Sequence, residues 1–140
     1  MVERDVVLAK VGSIQKCLHR IRDVTHLLPE SLSDINVQDV FVLNLQRAIQ
    51  SCIDLAAHVV ASEGLGVPRD IKEHFLLLQN ASVITSDLAG RMVKMVGFMN
   101  IAVHEYQELD ITLLGAILTG HLQDIEDFYT VIVNHFRVNG

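Results

Sequence analysis

Apolar residues recur every three or four positions along almost all of this 140-residue chain, and only eight glycines and two prolines interrupt them. That spacing is the period of an amphipathic helix, and the alternation of a strand is missing. The pattern predicts a first helix from about Glu3 to Leu28, with Val7, Val11, Ile14, Leu18, Ile21, Val24 and Leu28 on one face. Pro29 is expected to stop it, because proline pushes the residue before it out of the helical region. Glu30 to Asn36 reads as a loop. A second helix is expected from Val37 to Glu63, closed by Gly64-Leu65-Gly66, where glycine suits the left-handed cap. Pro68 is expected to open a short third helix ending near Leu78. The fourth runs from Ser86 to Glu105, with Leu88, Met92, Met95, Met99, Ala102 and Tyr106 as its stripe. The fifth runs from Thr112 to Phe136, with Leu114, Leu118, His121, Ile125, Phe128, Ile132 and His135 on one face. Four long helices and one short one make an all-α, up-down four-helix bundle, with residues 1–140 as a single domain.

Half of the residues are hydrophobic and a fifth are charged, which is too apolar for a disordered chain. A membrane span is not expected. Ile111 to Gln123, as long as any run free of Asp, Glu, Lys and Arg, is well short of the ~20 residues needed. The apolar surplus points instead to a face shared with another chain. Helix two supports this, because Ile49, Ile53, Leu55, Ala57 and Val60 widen its stripe. The formal charge is −6, but it is unevenly placed. Lys10, Lys16, Arg20 and Arg22 form an acid-free basic stretch, whereas Met95 to Phe136 holds no Lys or Arg and six acidic residues. The net charge argues against broad coating of nucleic acid. The basic first helix allows a local phosphate site, or else a solvated face whose charges pair across the bundle.

Cys17 and Cys52 sit among apolar neighbours and read as reduced, buried thiols. The N-terminus mixes charges of both signs and lacks a signal-peptide core, so a cytoplasmic protein is expected. His19, His26 and His74 read as surface residues. His58, His121 and His135 lie on or beside apolar stripes and read as satisfied core or interface histidines. No histidine pair four apart and no Cys-x-x-Cys occurs, so neither a metal site nor a cofactor is expected. His104 stands apart. It lies four residues after Asn100 and seven after Gly97, on one helical face, with Tyr106 two residues beyond. By themselves these residues fit a buried Asn–His hydrogen bond as well as a catalytic pair.

The stretch Gly97-Phe98-Met99-Asn100-Ile101-Ala102-Val103-His104-Glu105-Tyr106 resembles the signature of the HepT-like toxin family of the HEPN superfamily. That signature reads Arg-Asn, three residues, His, one residue, Tyr, commonly after Gly-Phe. The resemblance extends over Cys17-Leu18, Arg20-Ile21, Asn44 to Ile49, Cys52 to Ala56 and the Pro68–Leu78 segment, essentially the whole chain. It implies a HEPN-like dimer acting as a metal-independent endoribonuclease, the toxin of a prokaryotic toxin–antitoxin pair. Its implied antitoxin partner is a minimal nucleotidyltransferase that attaches AMP to the signature tyrosine, here Tyr106. His104 would be the acid–base residue, with Asn100 assisting, and RNA the substrate.

One position departs from the family pattern. Met99 stands where the family has arginine, five residues before the histidine. Methionine carries no charge and cannot donate to phosphate. An impaired or inactive ribonuclease is therefore the expectation, unless another cation such as Arg91, Lys94 or a first-helix residue of a second subunit substitutes. The alternative is a non-enzymatic helical dimer that binds a nucleotidyltransferase.

Overall fold

The computed structural model describes residues 1–104 and 110–136, without the side chains of 99 and 101–104. The described residues form six α-helices and one 3₁₀ turn, with no strand among them. The helices are α1 (Arg4–Thr25), α2 (Ile35–Ser62), α3 (Ile71–Asn80), α4 (Ser86–His104), α5 (Ile111–Gly120) and α6 (Leu122–Phe136), with the turn at Pro29–Ser33. The sequence expectation of an all-α helical bundle holds, with α5 and α6 in place of the single long helix expected last.

Cross-strut contacts show the antiparallel course of α1 and α2. The N-terminal ammonium donates to the Ser62 carbonyl at 2.6 Å, and the Glu3 amide donates to His58 Nε2 at 3.0 Å. Further along, Lys10 reaches Asp54 at 3.2 Å. The predicted stripes form the core: Val7, Ile14 and Ile21 of α1 are fully buried, as are Leu45, Cys52 and Val59 of α2. Helix α3 carries Phe75 inward to meet Phe128 of α6 edge-on, with ring centroids 5.4 Å apart. Such an edge-to-face pair adds about 0.5–1.5 kcal/mol beyond its burial. Burial pushes both cysteine thiols up from their ordinary pKa, so both stay protonated and free, as expected for Cys17 and Cys52.

Four local expectations need correction. Helix α1 stops at Thr25 rather than Leu28. The Thr25 hydroxyl donates to the Ile21 carbonyl at 2.7 Å and accepts from the Leu27 amide, and His26 and Leu27 turn left-handed. Pro29 then opens the 3₁₀ turn in the segment read as loop. Helix α3 starts at Ile71, not Pro68, because the Asp70 carboxylate caps it by accepting from the Glu73 amide at 2.8 Å. The expected fifth helix is two helices, broken at Gly120 and His121. Gly120 is a poor helix former. The apolar period runs on through Leu118, Leu122 and Ile125, which hides the break from spacing alone. Finally, His121 and His135 are exposed rather than core residues, whereas His58 is half-buried and bonded.

Two glycines are set by geometry. Gly115 lets α5 approach the 3₁₀ turn, since a Cβ there would lie 3.3 Å from the Pro29 ring. Gly64 has φ +62° and closes α2 with paired bonds, Gly64 N–H to Ala61 and Leu65 N–H to Val60. A Gly64→Ala change should cost about 1–2 kcal/mol in urea unfolding, because a β-carbon strains the left-handed conformation.

Candidate functional site

Helix α4 is continuous through His104. It begins where the Thr85 hydroxyl accepts from the Leu88 amide at 3.2 Å. Leu88, Ala89, Met92, Met95, Val96 and Phe98 bury its inner face. Because the helix is unbroken, Asn100 and His104 lie one turn apart on the same face, as the spacing requires. Asn100 is exposed. Gly97 shares that face, and a β-carbon there would meet nothing within 4 Å, so the surface before Asn100 is open. The side chains of Met99 and His104, and all of Tyr106, lie outside the described residues. Position 99 itself lies within the helix.

About two and a half turns upstream of Asn100, α4 is tied to α6 through Arg91. Arg91 donates to Asp87 at 3.0 Å, to Asp124 at 2.9 Å and to Asp127 at 2.9 Å. Asp124 is only 6% exposed. Its second oxygen meets Nδ1 of His121 at 3.0 Å. The hydrogen bonds that Arg91 donates to Asp124 and Asp127 raise its pKa further above its ordinary range. Hydrogen bonds from Gln123 and Arg91 hold the Asp127 carboxyl below the usual carboxylate range. Beneath these charges lies a cavity of about 170 Å³ between α4, α5 and α6, lined by Lys94, Met95, Phe98, Ile117, His121 and Asp124 beside Arg91.

This arrangement answers one sequence question. Arg91 cannot stand in for an arginine at position 99. It is ~12 Å away along the helix axis and its guanidinium is shared among three carboxylates. Lys94 is exposed but turned by roughly 140° around the helix from position 99. The His121–Asp124–Arg91 chain was not anticipated from sequence. Its signal was available: two aspartates three apart opening α6, in a stretch from Met95 to Phe136 that holds no Lys or Arg, facing the arginine of α4. Among the described residues no three His, Cys, Asp or Glu side chains cluster closely enough to hold a metal ion. No described helix is long and apolar enough to cross a membrane.

The basic stretch of α1 divides in two. Lys10 pairs with Asp54, and Arg22 pairs with Glu126 of α6, so these charges do pair across the bundle. Lys16 and Arg20 form no ion pair among the described residues.

Comparison with known proteins places these features. The Ribonuclease HepT-like family model matches residues 14–132. The mRNA nuclease HepT of Shewanella oneidensis is 38% identical over 128 residues, covering 91% of this chain and 96% of that protein. A solved tri-AMPylated HEPN toxin of Shewanella oneidensis, in complex with MNT antitoxin, superposes with a TM-score of 0.87. It shares 37% identity, and the match covers 93% of this chain and 98% of that one. A toxin–antitoxin structure with AMP-PNP gives a TM-score of 0.86 at 37% identity, with the same coverage. YutE of Bacillus subtilis, a cytosolic protein of unknown function, shares only the fold, with a TM-score of 0.82 at 16% identity.

Replacing Arg91 with methionine should destabilise the protein by about 3 kcal/mol, the low end for breaking a buried ion pair, since Arg91, Asp87 and Asp127 are partly exposed. The Asp127 contribution has a defined sign. A carboxyl depressed in the folded state stabilises above its unfolded pKa and loses that effect as pH falls through the lower folded value. The stability gap between the wild type and Asp127→Asn should therefore be full at neutral pH and shrink as pH drops below the usual carboxylate range. Urea unfolding at stepped pH measures it.

Proposed function

The chain belongs to the HepT-like ribonuclease family, and from that premise we propose that it is the toxin half of a prokaryotic toxin–antitoxin pair, a dimeric RNA endonuclease scaffold of the cytoplasm. The observation that carries this reading is the unbroken α4, which sets positions 100 and 104 one turn apart, with Asn100 exposed. A histidine titrates near neutral pH and can move a proton to or from a ribose 2′-hydroxyl or a leaving oxygen. In the proposed reaction the 2′-oxygen, having lost its proton, attacks the phosphorus. The bond to the 5′-oxygen breaks and that oxygen is protonated, leaving a 2′,3′-cyclic phosphate and a 5′-hydroxyl. His104 serves as the acid–base group and Asn100 orients it or a phosphate oxygen. No metal is needed for this chemistry.

The antitoxin in this reading is a minimal nucleotidyltransferase. The tri-AMPylated state of the Shewanella oneidensis toxin supports it. The phenolic oxygen of Tyr106 attacks the α-phosphorus of ATP and pyrophosphate leaves. The added phosphate then repels RNA beside the cleft.

Met99 lowers the activity of this scaffold. Phosphate acquires charge in the transition state, and a guanidinium at position 99 would stabilise it; a thioether does not. The commitment of Arg91 to three aspartates removes the nearest α4 arginine as a substitute. That same observation favours a second reading, in which the chain serves chiefly as a helical dimer that binds and occupies a nucleotidyltransferase.

Met99→Arg should raise RNA cleavage by about 10²–10³-fold, and His104→Ala in that background should abolish the gain. No gain, or a gain that survives loss of His104, overturns the catalytic assignment. Incubation with the nucleotidyltransferase and ATP should add AMP to the peptide carrying Tyr106, read by mass spectrometry. AMP found only elsewhere refutes the tyrosine assignment.

A further inference from the structure

A groove lined by polar and basic residues lies between α1 and α2, with a volume of about 470 Å³. Ser13, Lys16 and Cys17 line it from α1; Asn44, Arg47, Gln50 and Ser51 line it from α2. No carboxylate is among these residues. The nearest one engaged with the wall is Asp54, which accepts from the Gln50 amide at 3.0 Å and is itself held by Lys10. The Asn44 amide is likewise fixed, donating to the Val40 carbonyl at 2.8 Å. The walls are thus set by internal bonds, while Lys16 and Arg47 form no ion pair among the described residues. Arg47 is close enough to the groove floor that its charge acts on the Cys17 thiol. Arg20 continues the row, one turn and ~6 Å beyond Lys16 along α1.

Carboxylates outnumber cations in this chain of net charge −6, yet Lys16 and Arg47 flank one groove from both sides and no carboxylate lines it. Lys10 and Arg22, on the same helix, both have carboxylate partners. We infer that the Lys16–Arg47 groove binds the phosphodiester backbone of single-stranded RNA. Arginine offers a planar fork to phosphate oxygens, and lysine a point charge. The groove is lined with hydroxyls and amides and has no aromatic or large aliphatic side chain. A protein partner would need such an anchor to gain affinity there, whereas a polyanion does not. The inference rests on the ribonuclease reading for its choice of RNA. It concerns binding on α1 and α2 rather than the chemistry on α4.

The test uses fluorescein-labelled, 2′-O-methyl single-stranded RNA, which cannot undergo attack by the 2′-oxygen, so binding is read without cleavage. Both cations are exposed, and Lys16→Ala/Arg47→Ala should fold like the wild type by circular dichroism. Anisotropy titrations at several salt concentrations should show affinity falling on the order of 10–100-fold at low salt. The slope of log affinity against log salt should flatten by about 1.4, the value for two lost phosphate contacts on a single strand. Unchanged affinity and slope, or no RNA binding by the wild type, overturn the inference. So does a double variant that binds RNA normally but loses its second copy or its nucleotidyltransferase, since the groove would then be a protein interface. Cleavage of ordinary RNA by the Met99→Arg protein separates the two claims. The expected loss of binding without any cleavage would leave the groove standing and the catalytic reading refuted.

Discussion

The bond set around Arg91 holds the functional half of the molecule together. One guanidinium takes Asp87 from its own helix and Asp124 and Asp127 from α6, and so fixes α4 against α6. Asp124 is buried, and an uncompensated carboxylate there would be costly, so the arginine cannot leave. Three consequences follow. The break between α5 and α6 is placed where His121 can meet the free oxygen of Asp124. The apolar cavity under Phe98 gains a charged rim. And the one arginine of α4 serves architecture rather than chemistry.

The division of cations is the main functional lesson of the fold. Lys10, Arg22 and Arg91 are spent on ion pairs that join helices, while Lys16 and Arg47 flank a groove and carry none among the described residues. A chain with 11 basic and 17 acidic residues would be expected to have its positive charge neutralised everywhere. It is not: Arg4, Arg20, Lys72 and Lys94 as well as Lys16 and Arg47 form no ion pair among the described residues, and the last two share one groove on helices remote in sequence from the signature segment. Membership of the HepT-like family bears on the signature segment of α4. It says nothing of why α1 and α2 keep two cations facing the same space.

Much was legible from spacing. Val7, Ile14 and Ile21, Leu45 and Cys52, and Ile125, Phe128 and Ile132 all point inward because a three–four period selects one helical face. The signature at Gly97 to Tyr106 was legible too, and with it the family, since a motif is read from residue identity and order. Where spacing failed, the cause was a polar interaction that leaves the apolar period intact. The Thr25 hydroxyl ended α1 three residues early, the Asp70 carboxylate moved the start of α3 past Pro68, and Gly120 with His121 divided a helix whose stripe ran on undisturbed. His121 looked like a core residue because it fell on that stripe; the break rotated it to the surface.

The sequence by itself determined the helices, the buried faces, the His104 segment and the absence of an arginine at position 99, because each is a property of neighbours along the chain. Which arginine was free to compensate, and which cations met across a groove, depended on residues 33 to 36 positions apart around Arg91 and on α1 facing α2. Charge pairing acts through space at a few ångströms and is blind to sequence order. Only the packed bundle could decide it.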